Sequence, residues 1–440
     1  MVIHADDPTQ SRPEVVIIGG GLTGLACARE FDRLGLPWRL IEASDGLGGR
    51  VRTDTVDGFR LDRGFQVLLT DYPELTRLDV LSRLDLGCFE PGALVRLEVR
   101  RGARFARLSD PWRKPLTVFD PGWIRILGLA DALRLARLRH EVLADEPPPD
   151  GATTAEYLAE LGFSEAALRR FFVPFFGGVL LDRELGAPAS LFRHLFRHFA
   201  RGDAAIPAGG MGALSTEVAR SLDPGRIRLG TRVASLAGTT LVDHEGHAMT
   251  AAGIVVATDR DAARDLLPKW AGDNPSPTPS WSSTTTFWFA ASSVPAAIDR
   301  PLIVLDGEGG ELIHHLAVHT RVAADLAPEG QALLSVSHDG ALRPDLQEAV
   351  MRTLAAWFGG GLADLRLLRI DAIDRALPRC ATPFAARPGA TRVAPGVVVA
   401  GDHLGDPSID GALAAGRLAA TWVAADLLGR PFEPRVPAPA

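Results

Sequence analysis

Residues 14–42 constrain this chain more than any other stretch. A nearly continuous apolar run, Glu14-Val15-Val16-Ile17-Ile18, enters Gly19-Gly20-Gly21-Leu22-Thr23-Gly24. Apolar residues without alternation are the pattern of a parallel strand buried on both faces. Leu22 to Leu34 then reads as a helix closed by Gly35, and Pro37 to Glu42 as the next strand, which together make a βαβ unit. Gly19, Gly21 and Gly24 fall in a G-x-G-x-x-G pattern. The first allows a tight turn, the second lets backbone approach a pyrophosphate, and the third lets helix and strand pack closely. The N–H groups that open the helix, those of Leu22 and Thr23 among them, offer a phosphate the positive end of the helix dipole. Glu42 follows Gly19 by 23 positions and is placed to accept from a ribose. An acid there disfavours a 2′-phosphate, which leaves FAD or NAD ahead of NADP.

Composition narrows the remaining choices. The chain has 440 residues, 46% hydrophobic, with a net charge of -7. A wholly disordered chain is excluded, and nothing global favours nucleic acid. No uninterrupted apolar run reaches the roughly 18 residues that a membrane span needs. The first dozen residues show no apolar signal region, so a cytoplasmic location is expected. Cys27, Cys88 and Cys380 make neither a disulfide ladder nor a metal spacing. Lys114 and Lys269 are the only lysines, and Tyr72 and Tyr157 the only tyrosines.

His194 and His198 have the i, i+4 spacing of a metal pair, but no third ligand is evident and Arg193 and Arg197 flank them, so no metal is expected. His314, His315 and His319 read as strand or surface residues. Segment 124–146 reads as one long helix with Ile124, Leu127, Leu133 and Leu138 on one face and Arg125, Arg134, Arg137 and Arg139 opposite. That basic face is a solvated surface or a peripheral contact with a membrane.

Directly after the βαβ unit come Gly48-Gly49-Arg50-Val51-Arg52-Thr53 and then Asp62-Arg63-Gly64. Here the chain resembles the flavin-containing amine oxidase superfamily, which includes the protoporphyrinogen oxidases and phytoene-desaturase-like enzymes. The resemblance runs from about Val15 to Leu428 and implies noncovalent FAD, with Gly49 and the planar cation of Arg50 against it. Pro207-Ala208-Gly209-Gly210-Met211-Gly212 looks like the family's return into the cofactor domain. Val233, in Thr231 to Leu236, looks like the residue whose backbone meets the adenine. Val397 to Ala420 looks like the flavin motif. Within it Gly401 and Asp402 would lie by the ribityl hydroxyls or phosphates, while Ser408, Ile409 and Ala412 open a helix toward the N1 and O2 edge of the flavin. A helix N-terminus stabilises negative charge there.

The implied fold is α/β. A Rossmann-type FAD-binding domain is built from separated segments, 13–82, 203–275 and 391–430. An α+β substrate-binding domain is inserted as a helical segment, 83–202, and a segment of strands plus a helix, 276–390. A flexible tail follows at 431–440.

Arg169 to Arg183, rich in phenylalanine, and Asp62 to Gln66 resemble the phytoene-desaturase-like branch. Amine oxidases usually hold a lysine near the flavin, where the aligned strand offers Thr284-Thr285-Thr286. The expectation is an FAD-dependent oxidoreductase that dehydrogenates a small, largely apolar, isoprenoid-like substrate, with oxygen or a quinone as acceptor. An amine oxidase releasing hydrogen peroxide and a flavin-dependent isomerase without net redox are the alternatives. His403, beside Asp402, and Gln66 are the catalytic candidates. Oligomeric state is not legible.

Overall fold

The computed structural model describes residues 14–99, 102–149, 151–273, 281–310, 312–362, 364–380 and 389–429. The tail expected at 431–440 lies outside them. The chain divides into two compact units: Met1–Arg50, Ser215–Ser276 and Arg387–Ala438 form the first, and Val51–Leu214 with Pro277–Ala386 the second.

In the first unit the run Val15–Ile18 is a fully buried strand, as its unbroken apolar character requires. It pairs in parallel with Trp38–Ile41 on one side and Gly253–Val256 on the other. Ile227–Arg228 and Val397–Ala400 extend the parallel sheet outward, and Ala390–Ala394 closes one edge antiparallel. Two helices lie against each other here, Leu22–Leu34 and Ile409–Leu428. They touch at the backbone: a Cβ added to Gly416 would come within 2.0 Å of the Thr23 carbonyl oxygen. The Ile409–Leu428 helix is, among the described residues, the one helix long and apolar enough to cross a membrane, and half of it is buried in the structure.

The second unit is built on a seven-stranded sheet. Its order is Arg366–Pro378, Trp281–Ala291, Ala332–Asp339, His315–Val318, Ile303–Asp306, Gly92–Val99 and Gly102–Ser109, antiparallel except where Ile303–Asp306 meets Gly92–Val99. Phe287 and Phe289 enter the core on one face, while Trp288 enters the core on the other. This is the period of two that a strand imposes.

The sequence differs from the structure in four ways. Residues 83–202 are not wholly helical, since Gly92–Val99 and Gly102–Ser109 are paired strands of the sheet. Residues 51–82 and 203–214, expected with the cofactor segments, cluster with the second unit, because Ala204–Pro207 pairs with Leu68–Leu69 and Leu86–Cys88. Segment 124–146 is two helices, Gly122–Ile126 and Gly128–Leu143, separated at Leu127. Leu127 and Leu138 are buried, whereas Ile124 and Leu133 are exposed. The fourth is at Pro174, which from sequence interrupts the helical pattern of 154–199, yet the chain does not break there. Leu168–Gly177 is a π-helix running through the proline, a wider coil that shifts the carbonyl with which the ring would clash, although Pro174 still donates no hydrogen bond. Phe172 and Phe176 from this segment are fully buried and pack on Phe192.

Candidate cofactor site

The glycine pattern folds into a cradle at the carboxyl ends of the parallel strands, where open α/β sheets bind ligands. Gly19 has φ +110°, and a Cβ there would meet the Ala257 carbonyl oxygen at 2.5 Å. A Cβ on Gly24 would lie 1.9 Å from the Gly19 carbonyl oxygen, so the third glycine is required by the turn that the first one makes. Gly21 caps the helix without a side chain, and no acid sits in its first turn. The first-turn N–H groups of Leu22, Thr23 and Gly24 are therefore left to be satisfied from outside the helix.

The second glycine motif packs on the first. Gly48 N–H donates to the Gly20 carbonyl at 2.8 Å, and Gly49 lies so near Gly21 that an added Cβ would be 3.1 Å from its Cα. This contact explains why two glycines precede Arg50. Arg50 then reaches across 352 positions of sequence to Asp402, Nη2 to Oδ2 2.6 Å. Burial disfavours its charge, but Asp402 and more distant Asp259 outweigh that and hold the guanidinium pKa above its usual value.

Glu42 is more occupied than the sequence implies. Its Oε2 accepts from Gly20 N–H at 2.6 Å and its Oε1 from Ser44 N–H at 2.7 Å. The carboxylate thus braces the phosphate-side loop, and each oxygen retains a second lone pair for a hydroxyl donor. The Glu42 carbonyl accepts from Thr231 N–H, and Ser44 from Gly230 N–H. These bonds carry the chain to Val233, which opens the strand Val233–Ala237 at the same rim.

At the far side, Gly401 leads into a short turn, Asp402–Leu404. Ser408 caps the long helix, accepting from Gly411 N–H at 3.0 Å and donating to Asp406 at 2.6 Å. Ile409 is the first helical residue, while the Ala412 N–H is used by the Ser408 carbonyl. His403 folds back over Gly401, and both of its ring nitrogens are buried without a hydrogen-bond partner. Burial, only partly offset by Asp402, lowers its pKa to about 4, so it is neutral at physiological pH. All of these residues belong to the first unit.

Gln66 is in the second unit, its Nε2 3.4 Å from the Arg63 carbonyl. The motif around it is tightly locked. Asp62 Oδ1 accepts from the Thr53 hydroxyl at 2.5 Å and from Met211 N–H at 2.8 Å, and Thr53 Oγ1 accepts from Gly212 N–H at 2.7 Å. Three sequence motifs therefore meet at one buried carboxyl. Arg369 and Asp371 hold the same turn from a neighbouring strand, through the Asp62 carbonyl at 2.8 Å and Gly64 N–H at 3.3 Å.

His315 opens the strand His315–Val318, as expected, but His314, His315 and His319 are all buried and none is at the surface. His314 is held by Asp339 at 2.5 Å and the Val173 carbonyl at 3.1 Å. Burial pushes the His319 pKa down to about 3 and His315 well below its usual value. His315 Nε2 has no partner, and Phe65, next to Gln66, packs on both rings at 4.8 and 5.3 Å. Sequence reasoning missed this group because alternation in 312–318 says which residues share a face, not that both faces are covered.

His198, half of the i, i+4 pair, bonds Asp71 at 2.8 Å. Among the described residues one trio has ligand atoms close enough to hold a metal, Asp243, Glu245 and His247. There Asp243 Oδ1 is already engaged by the backbone N–H groups of Glu245 and His247.

A model of the flavin-containing amine oxidoreductase family matches residues 22–424. The chain belongs to this family, which implies an FAD cofactor. It is 31% identical over 209 residues to a carotenoid phi-ring synthase from Streptomyces griseus, covering 43% of this chain and 39% of that protein. It is 43% identical to polyamine oxidase 5 of Oryza sativa over 61 residues, 14% of this chain and 12% of the oxidase. The chain thus spans well under half the length of the curated relatives it matches. An oxidoreductase structure from Methanosarcina mazei shares the fold at a TM-score of 0.72 and 17% identity, covering 93% of this chain and all of that one.

The residues present fit FAD. The side-chain-free cradle, the uncapped helix start and the orphaned nitrogens of His403 are what a bound dinucleotide with a flavin would complete.

Proposed function

We propose that the protein dehydrogenates a largely apolar, isoprenoid-like substrate. The observation that carries this reading is the 209-residue stretch shared with a carotenoid synthase, against 61 residues shared with a polyamine oxidase. FAD, when bound, supplies the two-electron redox chemistry. The chain's own part is to bind and orient. The Gly19–Gly24 turn and the Leu22–Leu34 helix start take the pyrophosphate, Glu42 the ribose hydroxyls, and Val233 the adenine. Arg50 and Asp402 act as one ion pair beside the ribityl and phosphate groups. The start of the Ile409–Leu428 helix presents N–H groups to the electron-rich edge of the flavin, where a helix N-terminus stabilises an anion by about 0.3–1 kcal/mol.

No lysine assists in the second unit's sheet. Lys114 is paired with Glu90 at 2.8 Å, and the strand Trp281–Ala291, second from one edge of the sheet, carries Thr284, Thr285 and Thr286, all buried. Around Phe65 the buried groups are the Trp288 ring and the imidazoles of His315 and His319, both held toward the neutral form by burial. This cluster of rings supports the reading of a largely apolar substrate.

The test is anaerobic flavin bleaching in stopped flow, with isoprenoid polyenes, porphyrinogens and amines. Bleaching by a polyene, with a product two mass units lighter, is expected. Bleaching by amines alone would replace this reading with an amine oxidase. A product of unchanged mass would replace it with an isomerase.

A further inference from the structure

The second unit's sheet carries a buried polar row that the cofactor site does not use. Thr286, Ser337 and His315 stand directly opposite one another on three adjacent strands, Trp281–Ala291, Ala332–Asp339 and His315–Val318. Residues paired in this way project from the same face, with Cβ atoms about 4.5–5.5 Å apart. All three are buried, at 1%, 2% and 6% exposure. Thr286 Oγ1, Ser337 Oγ and His315 Nε2 are each without a hydrogen-bond partner among the described residues.

Neighbouring groups of the same kind are satisfied. Thr284 Oγ1 donates to the His338 carbonyl at 3.1 Å, and Thr285 Oγ1 to the Gly340 carbonyl at 2.9 Å. Ser335, two positions before Ser337 and on the same face, shares a hydrogen bond with His319 Nε2 at 2.8 Å. The sheet therefore finds partners for its hydroxyls on either side of the row and leaves the row itself open. Folded proteins rarely leave buried polar groups in that condition.

Backbone without side chains borders both ends. Gly64 has φ +85°, and a Cβ added to it would lie 3.9 Å from Thr286 Oγ1 and 2.7 Å from Ile373 Cδ1. A Cβ added to Gly178 would lie 3.3 Å from His315 Nδ1. Apolar rings adjoin the row: Phe65 packs on His315 at 4.8 Å, and Trp288 follows Thr286 by two positions on the same face.

Chemistry selects the ligand. A hydroxyl both donates and accepts, and a neutral imidazole donates at one nitrogen and accepts at the other. Burial holds His315 toward that neutral form. Such a set matches an oxygen that is itself uncharged. It does not match a phosphate or carboxylate, because the arginine opposite Trp288 on the next strand, Arg369, is already held by Asp54 and Asp371.

We infer that Thr286, Ser337 and His315 bind a hydroxyl or carbonyl oxygen of an otherwise apolar ligand, so that the substrate is an oxygenated isoprenoid-like molecule and not a pure hydrocarbon. The inference rests on the substrate reading above and adds one polar group to it. The rings take the hydrocarbon and the row fixes its orientation, since an analogue lacking the oxygen leaves the buried groups unpaired.

The test is equilibrium binding of farnesol, farnesal and the hydrocarbon farnesene to the full-length, FAD-loaded protein, read by flavin absorbance and tryptophan fluorescence. The alcohol or aldehyde is expected to bind roughly tenfold or more tightly than farnesene. One neutral hydrogen bond is equivalent to about two- to tenfold in affinity, so Thr286→Val and Ser337→Ala should each remove that much of the preference and leave farnesene binding unchanged. Thr284→Val, which removes a hydroxyl spent on backbone, should leave the preference intact. Ligand-free Thr286→Val should melt at or above the wild-type Tm, because a methyl group replaces an unpaired buried hydroxyl of the same shape. Ser337→Ala alone carries the test if Thr286→Val does not fold. An intact preference in both variants would overturn the inference, and a lowered Tm alongside it would assign the row to buried water. Equal affinity for all three probes, or no binding of farnesol and farnesal, would overturn it too. Anaerobic bleaching separates the two readings. Bleaching by hydrocarbon and oxygenated polyenes alike would keep the dehydrogenase and remove the oxygen site. Preferential binding of farnesol without bleaching by any polyene would keep the site and remove the dehydrogenase.

Discussion

Asp62→Asn isolates the cost of a buried charge. The carboxyl is almost wholly removed from water, and burial raises its pKa from 3.8 to about 6, against the opposing pull of Thr53, Met211 N–H and Arg369. A group whose folded-state pKa is raised binds its proton more tightly in the folded protein. Its contribution is therefore most favourable below about pH 4 and is lost as pH rises through 6. The gap is about two pKa units, or roughly 3 kcal/mol at 1.36 kcal/mol per unit. Asparagine keeps the Oδ1 acceptor for Thr53 and Met211 and removes the charge. The variant should match wild type near pH 4 and gain as pH increases, by up to about 3 kcal/mol at pH 8. Urea midpoints of variant and wild type, taken together at each pH from 4 to 8, measure the difference and cancel the histidines that titrate in the same range. A difference that is flat with pH, or that favours wild type at pH 8, would refute the reasoning and show that Arg369 fully compensates the carboxylate.

Other outcomes follow from the cofactor cradle. Glu42→Gln leaves one carbonyl where two N–H groups now find carboxylate oxygens, so it should weaken FAD by roughly 10- to 150-fold, the equivalent of about 1.5–3 kcal/mol, read by dialysis and absorbance. Gly24→Ala forces a Cβ to 1.9 Å from the Gly19 oxygen and should yield protein without flavin; normal flavin content would show that the turn yields readily. Removing His403 as His403→Gln should flatten acid sensitivity. Its lowered pKa means stability is lost as pH falls from 6.5 through about 4, and an unchanged urea midpoint profile would contradict that. Arg193→Lys should destabilise without touching flavin, because Arg193 is buried and bonds the Tyr157 hydroxyl and the carbonyls of Glu141 and Glu146; its Tm is the readout.

The first unit was far more legible in sequence than the second, for a physical reason. A phosphate-side turn imposes backbone requirements, and Gly19 and Gly24 answer them in the chemical identity of single residues. Asp402, by contrast, could be linked to Arg50 only through family resemblance, since nothing in either local sequence names the other. In the second unit identity depends on what lies across the sheet. Gly92–Val99 is strand because it pairs with Ile303–Asp306, a contact separated by about 200 positions. Burial of His314, His315 and His319, and of Arg193, is likewise set by neighbours far along the chain. Even the apolar period of 124–146 pointed Ile124 and Leu133 inward, because a period gives a face and not the side on which the protein lies.

The sheet of the first unit also sets a timetable for synthesis. Val15–Ile18 emerges from the ribosome early, yet Val397–Ala400 and the helix that packs on it through Gly416 come about 380 residues later. At roughly 5–20 residues per second, the first strand and its glycine turn wait on the order of 20–80 s for those partners. During that interval an apolar strand and an uncapped helix start are exposed in the nascent chain. Chaperone capture of ribosome-bound chains should therefore persist until Ile409–Leu428 is out, and FAD can be loaded only after that helix has docked.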